Sequence, residues 1–325
     1  MTLSFDEYKQ KIKTLLQENG IDEPQSETIA DYMATVDFYG ISSHGAFTLP
    51  GHLQRVKNGA YHLAPNVCVE RESTSFAVVN GDNAIGMVSA DFCVNYAMEK
   101  AKDAGIFTVY SHNNNTYGAA FYYALRAAQQ GFVCFTMSNS PAQMAPMGGR
   151  EKLLGTNPFA VAIPAATEPP IIVDMATSVL AKSKIKEYKE NGAELPAGVA
   201  LDASGNPTTD PEKALGGIML PMAGFKGYGI ALAIDLLAGL LSGAAYQDGV
   251  GRFYSEKPES MNVGFSFTVI SPKLVFGEDF YQKVDDYIKT VRASAPLEGK
   301  MVALPGDDRL LHYRKNMKNG LEWKI

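Results

Sequence analysis

His44 stands between Ser43 and Gly45 in a short stretch, residues 40–45, of small and polar residues that read as a loop. An imidazole with an unperturbed pKa of about 6.5 can release and recover a proton near neutrality, and a neighbouring hydroxyl can fix its orientation. The same histidine could also do no more than cap or pack its loop. Asp174, in Val173-Asp174-Met175-Ala176-Thr177-Ser178, falls at the end of an expected strand, where α/β folds collect ligand sites. A turn or N-cap aspartate leading into a helix is the plainer alternative. Lys226 and Gly227 set a cation beside glycines through which backbone can approach a phosphate or ribose; otherwise they are a glycine-rich entry to the helix that follows. Lys182 and Lys184 could meet phosphates or form a solvated face.

Several chemistries are excluded. No GxGxxG follows a strand, and residues 148–156 (GGREKLLGT) lack both the spacing and the Lys-Ser/Thr pair of a phosphate loop. His44, His52, His62, His112 and His312 form no ligand set with cysteine or carboxylate, so no metal is expected. Cys68, Cys93 and Cys134 are each flanked by apolar residues and read as free, buried thiols of a reducing compartment. A net charge of -6 without a basic run argues against nucleic acid. The N-terminal stretch lacks a secretory pattern, and the longest apolar run, residues 230–241, is broken by Asp235 and Gly239. A cytoplasmic α/β enzyme without membrane or nucleic-acid partners is expected.

The elements that must position these residues can be read from periodicity. Ser4 to Glu7 has capping-box spacing, and a helical apolar stripe runs from Phe5 to Leu16. A second helix begins after Asp22 with Pro24 in its first turn, and ends in the loop of His44. Strands at 75–80, 106–111 and 131–137 alternate with helices at 90–104 and 119–130, which predicts parallel pairing with helical crossovers. Further strands are expected at 159–163, 171–173 and 263–270. Residues 191–216 read as a polar excursion. Residues 228–241 read as a buried helix, apolar over most of its circumference, and helices at 279–291 and 307–319 follow.

Six ordered segments carry more than any one motif: 37–50 (DFYGISSHGAFTLP), 114–124 (NNTYGAAFYYA), 140–164 (SPAQMAPMGGREKLLGTNPFAVAIP), 173–178 (VDMATS), 224–237 (GFKGYGIALAIDLL) and 304–307 (LPGD). Together, over nearly the whole chain, they resemble the malate/L-lactate dehydrogenase-like oxidoreductases. This family is unrelated to the Rossmann lactate and malate dehydrogenases and includes ureidoglycolate, sulfolactate and diketogulonate enzymes. The resemblance implies an α/β fold with a mixed or largely parallel sheet and nicotinamide binding without the glycine fingerprint. It implies a helical substrate and dimerisation domain from residues 1–70 and 278–325 around a cofactor domain at 71–277, and a homodimer. It implies hydride exchange between NAD or NADP and a 2-oxo acid/2-hydroxy acid pair, with His44 as proton donor and acceptor. Ser43 would hold the same oxygen or the ring, and Asp174 would orient His44 and raise its pKa through a hydrogen bond. Met175, Ala176, Thr177 and Ser178, at a helix start, would meet the cofactor together with Lys182, Lys226 and Gly227. Pro305 and Gly306 would form a turn closing over it. Thr48, Thr116, Tyr117 and Gly118 would line the substrate pocket.

Two positions depart from the family pattern. Its SHGVxRLP carries an arginine where this chain has Thr48, and its SNHFG carries a histidine where this chain has Thr116. An arginine there would clamp a carboxylate bidentately, and each charged hydrogen bond is worth about 1.5–3 kcal/mol. Either Arg55, Arg150 or a partner subunit holds the carboxylate, or the substrate is a cyclic imine or a ketone without one. His112 is not expected to replace the lost histidine. A cofactor-binding sensor without turnover is the reading from another class.

Overall fold

A computed structural model describes residues 1–255, 257 and 259–324. Strand β1 (Thr2–Leu3) precedes helix α1 (Phe5–Glu18), whose capping box forms as expected: Ser4 Oγ accepts from Glu7 N–H and Glu7 reaches back to Ser4 N–H. Such a cap is worth about 1 kcal/mol. Helix α2 (Glu23–Phe38) starts at the Asp22 cap with Pro24 in its first turn and runs buried along most of its length. Two 3₁₀ turns, Ser42–His44 and Ala46–Thr48, lead into α3 (Leu49–Lys57).

The central layer is a seven-stranded sheet. Its strands are β2 (Cys68–Glu72), β3 (Phe76–Asn80), β4 (Ile106–Asn114), β5 (Val133–Ser138), β6 (Phe159–Ile163), β7 (Ile171–Met175) and, after three short strands, β11 (Val263–Ile270), in the spatial order β2-β3-β4-β11-β5-β6-β7. The expected strands are present, but their pairing is not the crossover pattern that alternation suggested. Only β3 and β4 run parallel; every other pair in this sheet is antiparallel. The cause is β11, which inserts antiparallel between β4 and β5 and separates strands that a doubly wound order would have made neighbours.

Helices α4 (Gly86–Ala104) and α5 (Ala120–Gln129) cover one face of the sheet, where Phe265 stacks on Tyr117 and Phe267 meets Tyr123 edge to face. On the other face, Gly264 lies against the Ala238 carbonyl, so closely that a side chain there would overlap it. Successive residues of β11 thus face opposite layers, as strand geometry requires. Between β7 and β11 the chain forms α6 (Lys182–Glu190), β8 (Ala200–Leu201), β9 (Pro207–Thr208), α7 (Pro211–Gly216) and β10 (Ile218–Met219). The polar excursion at 191–216 is therefore a small three-stranded sheet with a helix, built on its own core of Ile185, Leu195, Val199 and Met219.

The helix expected at 228–241 is α8 (Phe225–Ile234) continued by a π-helical turn, Asp235–Leu240. Its burial is one-sided, contrary to expectation. Ala231, Ile234 and Ala238 face inward, but Leu232, Leu236, Leu237, Leu240 and Leu241 are each 39–54% exposed. The circumference is apolar because both sides are, while this chain covers only one. Helices α9 (Pro272–Val275), α10 (Asp279–Ala293) and α11 (Asp307–Asn319) follow, and β12 (Leu321–Glu322) returns to pair with β1. The main core draws on residues from Leu3 to Tyr61 as well as on the sheet. Cys93 and Cys134 are buried, Cys68 is half-buried, and all three are free thiols. Among the described residues no helix is long and apolar enough to cross a membrane, and no group of His, Cys, Asp and Glu could hold a metal ion.

Candidate active site

The His44 turn is held from below by a buried carboxylate. Asp37, in the last turn of α2, accepts hydrogen bonds from Ala46 N–H (2.7 Å) and the Tyr8 hydroxyl (2.9 Å). Gly45 lies so close to it that a Cβ would overlap Asp37 Oδ1. Above this base, Ser43 Oγ and His44 Nδ1 are 2.9 Å apart, and the other ring nitrogen has no protein partner among the described residues. Thr48 Oγ1 donates to the Gly45 carbonyl (2.8 Å) and closes the second turn. Burial pushes the His44 pKa below its usual value, so the ring is neutral at pH 7. Burial acts oppositely on Asp37, whose pKa is pushed up to about 7 against the lowering effect of its two donors.

Asp174 lies on β7, but no hydrogen bond joins it to His44 among the described residues, and the His44 pKa moves down rather than up. The expectation that this carboxylate fixes the ring is therefore corrected: Ser43 holds Nδ1. Asp174 remains open to solvent yet deep enough among protein atoms for burial to push its pKa up to about 6, with the Arg309 charge and the Phe121 backbone N–H opposing. Arg309 connects the two halves of the site. Its Nη1 donates to the Gly40 carbonyl (3.0 Å), four residues before His44, while its charge acts on Asp174. The turn that carries it, Pro305-Gly306, is tied to β7: Ile172 N–H donates to the Pro305 carbonyl (3.2 Å), and Gly306 lies against the Ile172 backbone. This turn is thus docked on β7, two residues from Asp174.

The residues expected to meet a cofactor divide. Thr177 Oγ1 and N–H both donate to the Thr156 carbonyl (2.9 Å each), and Ser178 Oγ donates to the Leu180 carbonyl (2.7 Å). Both side chains are consumed by backbone carbonyls, of Thr156 and Leu180, and the helix they were expected to open begins only at Lys182. Gly227 is buried, and a Cβ there would strike the carbonyls of Met222 and Thr177, so this glycine serves helix packing, not approach to a phosphate. Met175, Ala176 and Lys226 keep accessible surface. Lys182 donates to Gln143 Oε1 (3.0 Å) at the N-terminus of α6. Its pKa is lowered by burial and by three neighbouring cations, Lys152, Lys186 and Arg252. Positive charges massed at a helix N-terminus, with no carboxylate acting on Lys182, fit a phosphate-bearing group.

In the expected substrate pocket, Thr48 and Thr116 are partly exposed and spend a hydroxyl contact on their own turns. Tyr117 is corrected to a core residue, 2% exposed and stacked between Tyr123 and Phe265. Gly118 adopts φ +80 with no space for a side chain beside the Tyr32 hydroxyl, which accepts from Ala119 N–H (2.5 Å). Arg55 is excluded as a carboxylate holder. It is 2% exposed and donates to the carbonyls of Arg252, Phe253 and Glu259 and to Asn115 Oδ1, so it ties α3 to those three backbone positions and to the Asn115 loop. Arg150 stands exposed on the 148–151 loop. Sequence reasoning missed Asp37 and Arg309. An acid among the inward positions Met33, Val36 and Phe38 of α2 was a readable signal for the first; nothing local announced the second.

The α/β scaffold thus presents one neutral imidazole over a buried acid and, on the same chain, a cluster of cations around Lys182. The malate/L-lactate dehydrogenase family model matches residues 3–324, and the chain belongs to that family of oxidoreductases. The chain is 34% identical over 323 residues to malate/(S)-sulfolactate dehydrogenase of Methanothermus fervidus, spanning 99% of this chain and 94% of that protein. It is 31% identical over 324 residues to the NAD(+) ureidoglycolate dehydrogenase of Escherichia coli K12, spanning 99% and 92%. The sulfolactate dehydrogenase structure from Methanocaldococcus jannaschii superposes with a TM-score of 0.92 at 35% identity, covering 100% of this chain and 93% of that one.

Proposed function

We propose that this protein is a nicotinamide-dependent dehydrogenase of small 2-hydroxy acids, interconverting them with 2-oxo acids, and that His44 carries the proton. The supporting observation is the His44 turn: one ring nitrogen is engaged by Ser43 and the other is free of protein partners among the described residues. Relatives named for malate, sulfolactate and ureidoglycolate point to the same substrate class. A bound nicotinamide supplies or removes the hydride. Lys182, with Lys152, Lys186 and Arg252 around it, would hold the phosphates, and Lys226, Met175 and Ala176 offer further surface.

In alcohol oxidation, the free nitrogen of neutral His44 accepts the hydroxyl proton as the carbon loses hydride; in reduction, the protonated ring returns it. Ser43 keeps the ring oriented, and Asp37 beneath Gly45 and Ala46 keeps the turn from shifting. The exposed leucines of α8 and its π-helical extension support pairing with a second copy of the chain, since a contiguous apolar face of this kind is rare on a monomer. The test is to follow NADH or NADPH formation with malate, lactate and sulfolactate in wild type and His44→Ala, with cofactor binding measured by fluorescence. The expected result is a loss of turnover on the order of 10²–10⁴-fold with cofactor binding retained. Wild-type turnover in the variant, or no turnover by either protein, rejects the assignment.

A further inference from the structure

We infer that Arg309 is the carboxylate anchor of the substrate site, an inference that rests on the 2-hydroxy acid reading above. Three observations carry it.

The first is supply of charge. Thr48 stands where an arginine was expected, Arg55 is buried in backbone contacts, and Arg292 is paired with Glu168 (2.7 Å) and Asp307 (3.1 Å). Arg309 is the cation that acts on Asp174, and it is bonded to the turn of His44.

The second is unused capacity. A guanidinium has five N–H donors in a planar fork. Arg309 spends one on the Gly40 carbonyl and points Nε toward Asp308 Oδ2 at 3.8 Å, while its side chain is 36% exposed. Among the described residues no hydrogen bond or ion pair joins it to Asp174, so its remaining edge can accept a carboxylate in the bidentate geometry that lysine cannot reproduce.

The third is rigidity. Arg309 sits in the first turn of α11, directly after a Pro305-Gly306 turn hydrogen-bonded to Ile172, two residues before Asp174 on β7. Gly40 and His44 belong to one tight bend, in which His44 N–H donates to the Ile41 carbonyl (3.0 Å). A guanidinium tied to the first residue therefore lies within a turn of the second. A 2-oxo acid whose carboxylate rests on Arg309 can present its adjacent oxo group to the His44 ring, and a neutral ketone gains nothing from the same contact.

The test compares pyruvate and oxaloacetate with methyl pyruvate, in which the charge is gone, using NADH or NADPH and the variants Arg309→Gln and Arg309→Lys. For the acids, kcat/KM of Arg309→Gln is expected to fall by about 10- to 150-fold, mainly through KM. Arg309→Lys should recover part of that loss. Methyl pyruvate shares any effect of the substitution on the His44 bend but not the carboxylate contact, so its loss should be smaller than that of the acids by about tenfold or more, while the dissociation constant of the cofactor should change by no more than about twofold. An equal loss on acid and ester, or no loss on either, overturns the anchor while leaving the dehydrogenase reading intact. A wild type that turns over none of the acids overturns that reading instead. Titration of oxamate onto the protein with NADH bound then decides the anchor: Arg309-dependent binding sustains it, and absent or Arg309-independent binding overturns it.

Discussion

Replacing Asp37 with asparagine keeps the outline of the side chain and an oxygen for Ala46 N–H, but removes an ionisation. In the folded protein that carboxyl ionises near pH 7 rather than 3.8, because burial disfavours its charged form more than Ala46 and Tyr8 favour it. A carboxyl whose folded pKa is raised binds its proton more tightly in the native state than in the unfolded chain. Its contribution to stability is therefore complete below pH 3.8, declines from there, and is lost as pH rises through 7. At about 1.4 kcal/mol per tenfold change in acidity, the difference amounts to at most about 4 kcal/mol; relaxation of the turn around the charge lowers it. The amide of the variant has no such proton, while every other titrating group is common to the two proteins. The unfolding free energy of wild type relative to Asp37→Asn should then fall by on the order of 2–4 kcal/mol between pH 4 and pH 8. Urea unfolding reports this locally, because the single tryptophan, Trp323, packs edge-on against Tyr8 (ring centroids 5.1 Å), the residue that donates to Asp37. If the two proteins keep a constant difference across that range, Asp37 does not titrate as its burial requires.

Three more outcomes follow from the same geometry. Because burial lowers the His44 pKa and oxidation needs the neutral ring, kcat/KM for a 2-hydroxy acid should stay level down through the usual histidine range and drop only in more acidic buffer, with reduction gaining as oxidation is lost; pH profiles in both directions check this. Gly45→Ala forces a methyl group into Asp37 and should lower kcat by on the order of 10²-fold while cofactor binding, measured by fluorescence, is preserved. The pair Leu236→Glu and Leu240→Glu introduces charge on the exposed apolar face and should turn a dimer into a monomer in sedimentation velocity, whereas an unchanged sedimentation coefficient would place the pairing surface elsewhere.

What was legible in the sequence followed local rules. The Ser4 and Asp22 caps, the strand runs at 159–163 and 263–270, and the helix at 307–319 all form where spacing and turn chemistry put them. Strand partners were not legible, because a run of apolar residues in β11 carries no mark of the neighbours it will choose 130 to 160 residues away. The 228–241 helix shows a related limit: Leu236 and Ala238 look alike on paper, and only the three-dimensional packing reveals which of them this chain leaves uncovered. In the site, His44 and Ser43 were readable as adjacent polar residues in a loop. Thr177, Ser178 and Gly227 mislead because a hydroxyl satisfied by a backbone carbonyl, or a glycine packed closely against backbone, has the same local sequence as one facing a ligand. Arg309 was invisible because it reaches Gly40 across 269 residues.

The place of β11 also governs how the chain can be assembled. Among the described residues, the three strands β2 to β4 and the three strands β5 to β7 are joined in the sheet only through it. A growing polypeptide that has emerged as far as residue 175 thus carries two half-sheets with open inner edges, and both wait for residues 263–270 before either is sealed. Unpaired edges of this kind invite association with other chains, and closure over such a long sequence separation is slow. The last third of the chain therefore sets the moment at which the first two thirds become safe from aggregation.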